Sequence, residues 1–269
     1  MSNTKPVDLP PIQLDPQIVR TGLKRAMPRS GDAVLCVVSQ ATIRFIGLSN
    51  LRMMVSWECP FAGPKKPRFY VFPRFAVYLL TSMLGQELAG LTLTTVGTEA
   101  ILGMTDQRGH YELRWEADLK QFMVPPEFMQ MLAVPKAMIT TTYLALSDAA
   151  HHAVANLVTL QAAHHIPEEK LAILVDFGAS HLTLDGRTIV HGTAGAFYFD
   201  PRLIIRALEL IKSNTLQVGM APLPAAQRAV LTLLADHEGW HVQCALLSIG
   251  TNTQRLYPLP PERLTIMPR

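Results

Sequence analysis

Four stretches of the chain alternate apolar and polar positions for a few residues, then switch to helical spacing. Ile12-Gln-Leu-Asp-Pro-Gln, Phe69-Tyr-Val-Phe-Pro-Arg, Tyr143-Leu-Ala-Leu-Ser-Asp and Phe197-Tyr-Phe-Asp-Pro-Arg mark the switches. A period of two places side chains alternately on the faces of a strand, and a period near 3.6 stacks them on one side of a helix. Pro16, Pro73 and Pro201 stand where a first helical residue tolerates proline, because that N–H has no partner inside the helix. Asp15, Ser147 and Asp200 precede the helices as N-caps, while Phe72 holds the equivalent place in the second copy.

The elements between these switches repeat. A helix over 16–27 leads to strands over 32–38, 42–46 and 51–57, then to a loop dense in Pro and Gly over 59–67. Strand 69–72, helix 73–84 and strands 91–96, 99–105 and 111–116 complete a first half. Strand 137–145, helix 148–161 and strands 171–177, 181–184 and 187–191 restart the plan. Strand 196–199, helix 201–212 and strands 216–220, 229–235 and 240–249 finish it. Asp106-Gln-Arg-Gly109 and Asp236-His-Glu-Gly239 lie between apolar strands, as hairpin turns do. Strand runs interrupted by single helices predict an α+β layer fold dominated by antiparallel hairpins. Such self-similarity predicts a duplicated domain, each half made of two similar units. The boundaries are 12–117 and 136–251, with a connector over 118–135 that holds Pro125, Pro126 and Pro135. Residues 1–11 read as a loose arm and 252–269 as a tail without a core of its own.

Charge sharpens this picture. The net charge of the 269-residue chain is only +3. The helices carry Arg20, Lys24, Arg25, Arg74, Arg202, Arg206 and Lys212 against Asp148 and Glu209, so the remainder is net acidic. Helix one places Ile18, Val19, Leu23, Ala26 and Met27 on its apolar face, and helix four does so with Ile204, Ala207, Leu208 and Ile211. Arg74, Tyr78 and Thr81 are expected outside on helix two, and Asp148, His152, Asn156 and Thr159 on helix three. Cations gathered on equivalent helices form a surface that tracks phosphate. No base-reading motif accompanies them, so such binding would be directed at the backbone and independent of sequence.

Other chemistries find little support. Cys36, Cys59 and Cys244 are too dispersed for a disulfide framework or a metal knuckle. His151-His152 and His164-His165 do not share a helical face and come with no patterned carboxylate or thiolate, and His237 and His241 flank the Glu238-Gly239 turn as exposed or capping residues. Val175-Asp176-Phe177-Gly178-Ala179-Ser180 looks like a phosphate-binding turn of actin-like ATPases, yet residues 1–60 contain no second such turn. Phosphate loops and nucleophile elbows are absent. No cofactor, metal or catalytic residue is therefore expected. Neither a transmembrane span nor an apolar signal core is read, which points to an intracellular protein.

The strand–helix–strands unit, repeated twice per domain and twice per chain around a connector, resembles the DNA sliding clamps. Leu119-Lys-Gln-Phe-Met-Val-Pro-Pro-Glu-Phe is similar to the interdomain connector of proliferating cell nuclear antigen. Residues 197–249 resemble the closing half-domain of bacterial clamp subunits. The resemblance implies a non-enzymatic ring subunit with helices inside and antiparallel sheets outside. Two domains per chain imply a trimer. Arg20, Lys24, Arg25, Arg74, His152, Arg202, Arg206 and Lys212 would then face double-stranded DNA. Phe122, Met123, Val124, Phe128 and Met129, with Leu246, Leu247 and Ile249, would dock a polymerase or other replication or repair protein. Two alternatives stay open: a clamp-fold interaction scaffold without DNA encirclement, suggested by His151 and His152 where cations are expected, and an actin-like ATPase around Asp176.

Overall fold

Asp15 and Asp200 start their helices as their chemistry dictates. The Asp15 carboxylate accepts from the backbone N–H of Gln17 (2.7 Å) and Ile18 (3.3 Å), and that of Asp200 accepts from Arg202 (3.0 Å). Each satisfies donors that a helix leaves open at its first turn, and each is followed by proline. The computed structural model describes residues 9–27, 33–49, 52–83, 88–116, 131–164, 172–177, 182–184, 187–190, 196–223 and 228–249. These fall into two compact units: residues up to 49 with 55–116, and 52–54 with 131–249.

The first unit contains β1 (Leu9–Leu14), α1 (Pro16–Ala26), β2 (Ala33–Val38), β3 (Thr42–Ser49) and β4 (Met53–Pro60, whose first residues group with the second unit). It continues with β5 (Arg68–Pro73), α2 (Arg74–Met83), β6 (Gly90–Val96), β7 (Glu99–Asp106) and β8 (Gly109–Glu116). Its strands hydrogen-bond in the orders β5-β2-β3-β4 and β1-β6-β7-β8. The second unit contains β9 (Ile139–Thr142), α3 (Tyr143–His164), β10 (Ile173–Phe177), β11 (Leu182–Leu184) and β12 (Arg187–Val190). After them come β13 (Ala196–Phe199), α4 (Pro201–Ile211), β14 (Thr215–Leu223), β15 (Arg228–His237) and β16 (Trp240–Leu247). Here the orders are β16-β15-β14-β9 and β12-β11-β10-β13. Every described register is antiparallel, which matches the α+β expectation.

Both hairpin turns form. Asp106 accepts from the N–H groups of Arg108 and Gly109 across the β7–β8 turn. The β15–β16 turn needs positive φ at Glu238 (50°) and Gly239 (79°), the geometry whose twist matches a hairpin. In the first unit, Phe72 packs against Trp115 with ring centroids 5.2 Å apart, and the Trp115 indole N–H donates to Val71 O at 2.5 Å. Gly22 on α1 lets the helix sit against the Phe45 ring of β3. In the second unit, Ile204, Ala207, Leu208 and Ile211 of α4 are buried with Val242 and Cys244 of β16.

Three sequence expectations change. Strand 137–145 shortens to β9, and α3 starts at Tyr143, one turn before the expected cap. The Thr142 hydroxyl accepts from Ala145 N–H at 3.2 Å, so Thr142 supplies the cap and Ser147 lies within the helix, buried. Tyr143-Leu-Ala-Leu alternates like a strand but forms a helical turn, with Leu144 67% exposed. Pro73 ends β5 and does not open α2; β5 is an edge strand in its unit, where a missing N–H costs no ladder bond. The arm expected to be loose joins β1 from Leu9, held by the Thr94 hydroxyl on Leu9 O (2.5 Å) and by Arg68 on Pro10 O. Most of the connector, the stretch from Gly178 to His181 and the tail lie outside the described residues.

Candidate nucleic-acid interface

α1 carries three cations and no acid within its length. Val19, Leu23 and Ala26 at helical spacing bury one face, so the opposite side must take the polar residues. Lys24 is exposed, and Arg20 and Arg25 are half-buried. The Arg25 guanidinium lies 4.8 Å from the centroid of the buried Trp57 ring, a cation–π contact, and its Nη1 is buried as well. α4 buries Leu203, Ile204, Ala207, Leu208 and Ile211. Arg202 and Lys212 are exposed there and Arg206 is half-buried. Arg202 is engaged: its Nε and Nη2 reach the two oxygens of Asp200 at 3.0 and 3.1 Å. Lys212 caps the helix in the left-handed conformation (φ 47°) and donates its N–H to Leu208 O at 3.3 Å. Its position past the last turn complements the negative end of the helix dipole.

α2 and α3 are different surfaces. Arg74 is exposed, lies 5.5 Å from the centroid of the Tyr78 ring and donates to the Tyr78 hydroxyl at 3.4 Å. Phe75 (56% exposed), Tyr78 (57%) and Leu79 (39%) share its solvent side. Sequence reasoning placed Tyr78 outside but missed Phe75 and Leu79. The signal was present: Arg74-Phe-Ala-Val-Tyr-Leu-Leu-Thr-Ser-Met has too few polar residues to fill one helix face. His152 is exposed on α3, and His151 bonds through Nδ1 to Ser147 O at 2.8 Å.

Of the residues assigned to docking, Phe122, Met123, Val124, Phe128 and Met129 lie outside the described residues. Leu246 and Leu247 are buried on β16, and Ile249, which donates its N–H to Tyr198 O at 2.7 Å, is half-exposed. As they stand, only Ile249 of these three offers surface. Asp176 lies in β10 between antiparallel β11 and β13. Among the described residues, no three His, Cys, Asp or Glu side chains gather as metal ligands, and no helix is long and apolar enough to cross a membrane. All three thiols are buried; burial raises Cys36 far above the usual thiol range, Cys244 to about 12 and Cys59 to about 11, the last helped by Glu58 and Asp15 nearby.

No protein-family model matches the sequence, and neither does any curated protein. Solved structures do. The DNA polymerase III beta subunit of Thermotoga maritima superposes with a TM-score of 0.63 at 10% identity, over 94% of this chain and 68% of that one. The sliding clamp of Pseudomonas aeruginosa bound to griselimycin gives 0.62 at 11% identity, over 93% and 68%. A putative beta subunit from Eubacterium rectale gives 0.56 at 12%, over 93% and 68%. The chain has the sliding-clamp fold. Within this clamp fold, α1 and α4 carry cations on their solvent sides, α2 is largely apolar there, and α3 mixes Leu144 and Val158 with Asp148, His151 and His152. The clamp resemblance read from the repeat is thereby confirmed at the level of fold, and the actin-like alternative around Asp176 is displaced by it.

Proposed function

We propose that this chain is the subunit of a ring that encircles duplex DNA and holds DNA-processing enzymes to it. The observation that carries this reading is the clamp fold over nearly the whole chain, joined to cations on the outward sides of α1 and α4. Its mechanism is topological: a closed ring gives lifetime on DNA, while dispersed phosphate contacts permit sliding. Arg20, Lys24, Arg206 and Lys212 supply those contacts, and Arg25 and Arg202 contribute less because Trp57 and Asp200 already hold their guanidinium groups. Arg74 and His152 have weaker standing in this role: Phe75, Tyr78 and Leu79 surround Arg74, and Asp148 lies one turn from His152. The chain spans 68% of the bacterial clamp structures. Three copies of a 29.7 kDa chain, roughly 89 kDa, would supply six domains to such a ring. Among the described strands, β1, β5, β8, β9, β12 and β13 end their sheets, and free edges of this kind readily accept another chain. The docking role assigned to the connector and Ile249 belongs to the same proposal.

The test compares retention on nicked circular DNA with retention on the same DNA linearised. A ring stays on the circle and runs off free ends. Equal retention on both would remove encirclement and leave the scaffold reading. Replacing Arg20, Lys24 and Arg206 by Gln should flatten the dependence of log affinity on log salt by ~0.9 for each phosphate that is no longer neutralised. An unchanged slope would sink the DNA-facing assignment.

A further inference from the structure

The loop between β4 and β5, dense in proline and glycine, is held tightly where it begins. Phe61 donates its N–H to Ala41 O at 2.9 Å, and Gly63 donates to Gln40 O at 3.1 Å. A Cβ on Gly63 would stand 2.1 Å from Ser39 O, so the loop lies directly on the β2–β3 turn. That turn is fixed in its own right by the Ser39 hydroxyl, which donates to Thr42 O at 3.0 Å and accepts from Thr42 N–H at 3.1 Å. Pro60, Pro64 and Pro67 preset φ along the way.

This frame presents Lys65 and Lys66, adjacent and exposed, and then Phe69, 49% exposed near the start of β5. Neither lysine has an ion-pair partner among the described residues. Glu58, the acid nearest to them in the sequence, is taken by Arg44. Arg68 is spent on Pro10 O. Phe69 stands opposite Val37, and Val37 opposite Arg44; one position along, Tyr70, Cys36 and Phe45 form the buried row that meets Gly22 of α1. Alternation along a strand therefore puts Phe69 on the sheet face turned away from α1 and its cations.

A single exposed apolar side chain is ordinary. An aromatic face joined to two unpaired cations on a preset loop is the combination that holds single-stranded nucleic acid: the cations track phosphate and the ring stacks on a base. A duplex supplies phosphates but keeps its base faces inside the stack, and a run of carboxylates leaves Phe69 uncovered. The fixed loop also lowers the ordering cost of binding.

We infer that the Lys65–Lys66–Phe69 surface is a binding site for single-stranded nucleic acid, independent of base sequence. On a ring threaded by duplex DNA it takes the unpaired strand that adjoins the duplex, where tethering raises the local concentration. That placement rests on the ring reading above; the site itself does not.

Fluorescence anisotropy of labelled oligo(dT), about 20 nucleotides long, over a salt series tests it. The proteins are wild type, Lys65→Gln/Lys66→Gln, Phe69→Ala and Phe69→Trp, and a duplex of the same length is the control. All three positions are exposed, so the variants should keep the wild-type circular dichroism spectrum and melting temperature. The lysine variant should flatten the dependence of log affinity on log salt by ~1.4, at ~0.7 for each phosphate no longer neutralised. Phe69→Ala should weaken oligo(dT) binding ~5-fold or more with an unchanged slope, and Phe69→Trp should restore it, while neither changes duplex binding. A lysine variant with the wild-type slope, or a Phe69→Ala protein that loses nothing on oligo(dT) or as much on the duplex, overturns the proposal. So does a poly-glutamate peptide that binds the wild type more tightly than oligo(dT) and loses that affinity in the lysine variant, since the loop then serves an acidic protein segment. These outcomes are the same for a monomer and a ring, so a failure of encirclement does not carry the site with it.

Discussion

Gly22→Ala tests how α1 is held, and its size follows from the packing. A Cβ at Gly22 would stand 2.1, 2.3 and 2.7 Å from Cδ2, Cε2 and Cγ of Phe45, whose side chain is completely buried on β3. Real carbon atoms do not approach so closely, and Cγ lies at the root of the ring, so rotation alone gives no relief. Either the ring leaves its rotamer or α1 lifts off the sheet. Overpacking of this kind costs about 1–3 kcal/mol. Alanine returns about 0.5–1 kcal/mol through its better helix propensity. The net loss is then about 0–2.5 kcal/mol, or up to roughly 10 °C in melting temperature at about 2–4 °C per kcal/mol for a chain of this size. Differential scanning calorimetry reads this directly. Phe45→Leu removes the obstructing ring atoms, so its cost and that of Gly22→Ala should fail to add when combined. Gly22→Ala melting above wild type, or strictly additive losses in the double variant, would refute the close approach. The same displacement moves Arg20 and Lys24, so the variant should also weaken DNA retention if α1 faces the duplex.

Three further outcomes are expected. Cys36, Cys59 and Cys244 should resist a thiol reagent in the folded protein at pH 8 and react together on unfolding, with Cys59 first on partial opening; rapid native labelling would contradict their burial. Because their folded pKa values are raised, the stability they contribute is full below the unfolded thiol value of about 8.5 and falls as pH climbs towards the folded values of about 11 (Cys59) and about 12 (Cys244). Urea midpoints that hold steady from pH 8 to 10 would contradict that sign. Asp200→Ala should cost about 0.5–2 kcal/mol through loss of the α4 cap, while releasing Arg202 and increasing DNA affinity at low salt. Weaker DNA binding by a folded Asp200→Ala protein would show that the Asp200–Arg202 pair itself positions the cation.

The parts of the fold legible in the sequence were those with local causes. Asp15-Pro16 and Asp200-Pro201 fix helix starts through side-chain oxygens and a preset φ, and Asp106 and Gly239 fix turns the same way. Tyr143-Leu-Ala-Leu was misread because its period is ambiguous over four residues. The Asn214 carbonyl, which accepts from Tyr143 N–H at 2.9 Å, helps to place the helix start, and no local pattern contains it. Ser147 looked like a cap because serine suits that place; its burial within the helix is a tertiary outcome. For the site, the cations of α1 and α4 were readable as helix faces. The grip of Asp200 on Arg202 and the place of Arg25 over Trp57 were not, since side-chain pairing needs coordinates. Nor did sequence alone expose the second apolar face of α2, because apolar residues are read by default as core.

That last error follows from what a repeated fold requires of its helices. Each must bury a narrow stripe: Val19, Leu23 and Ala26 in α1, Ala76, Val77 and Leu80 in α2, Ala150, Ala153 and Leu157 in α3, Ile204, Ala207 and Ile211 in α4. Burial at about 25 cal/mol per Å² constrains these positions in every copy, so the repeat stays visible in them. It leaves the opposite face unconstrained by folding. A single architecture can therefore turn cations outward on α1 and α4, aromatic and aliphatic side chains on α2, and a mixture of aliphatic residues, an acid and histidines on α3, without altering the inner stripe. Equivalent position in a repeat predicts backbone and core but gives no warrant for equivalent chemistry outside. On this argument, Arg20 and Phe75 stand on the outer sides of similar helices, and folding dictates the chemistry of neither.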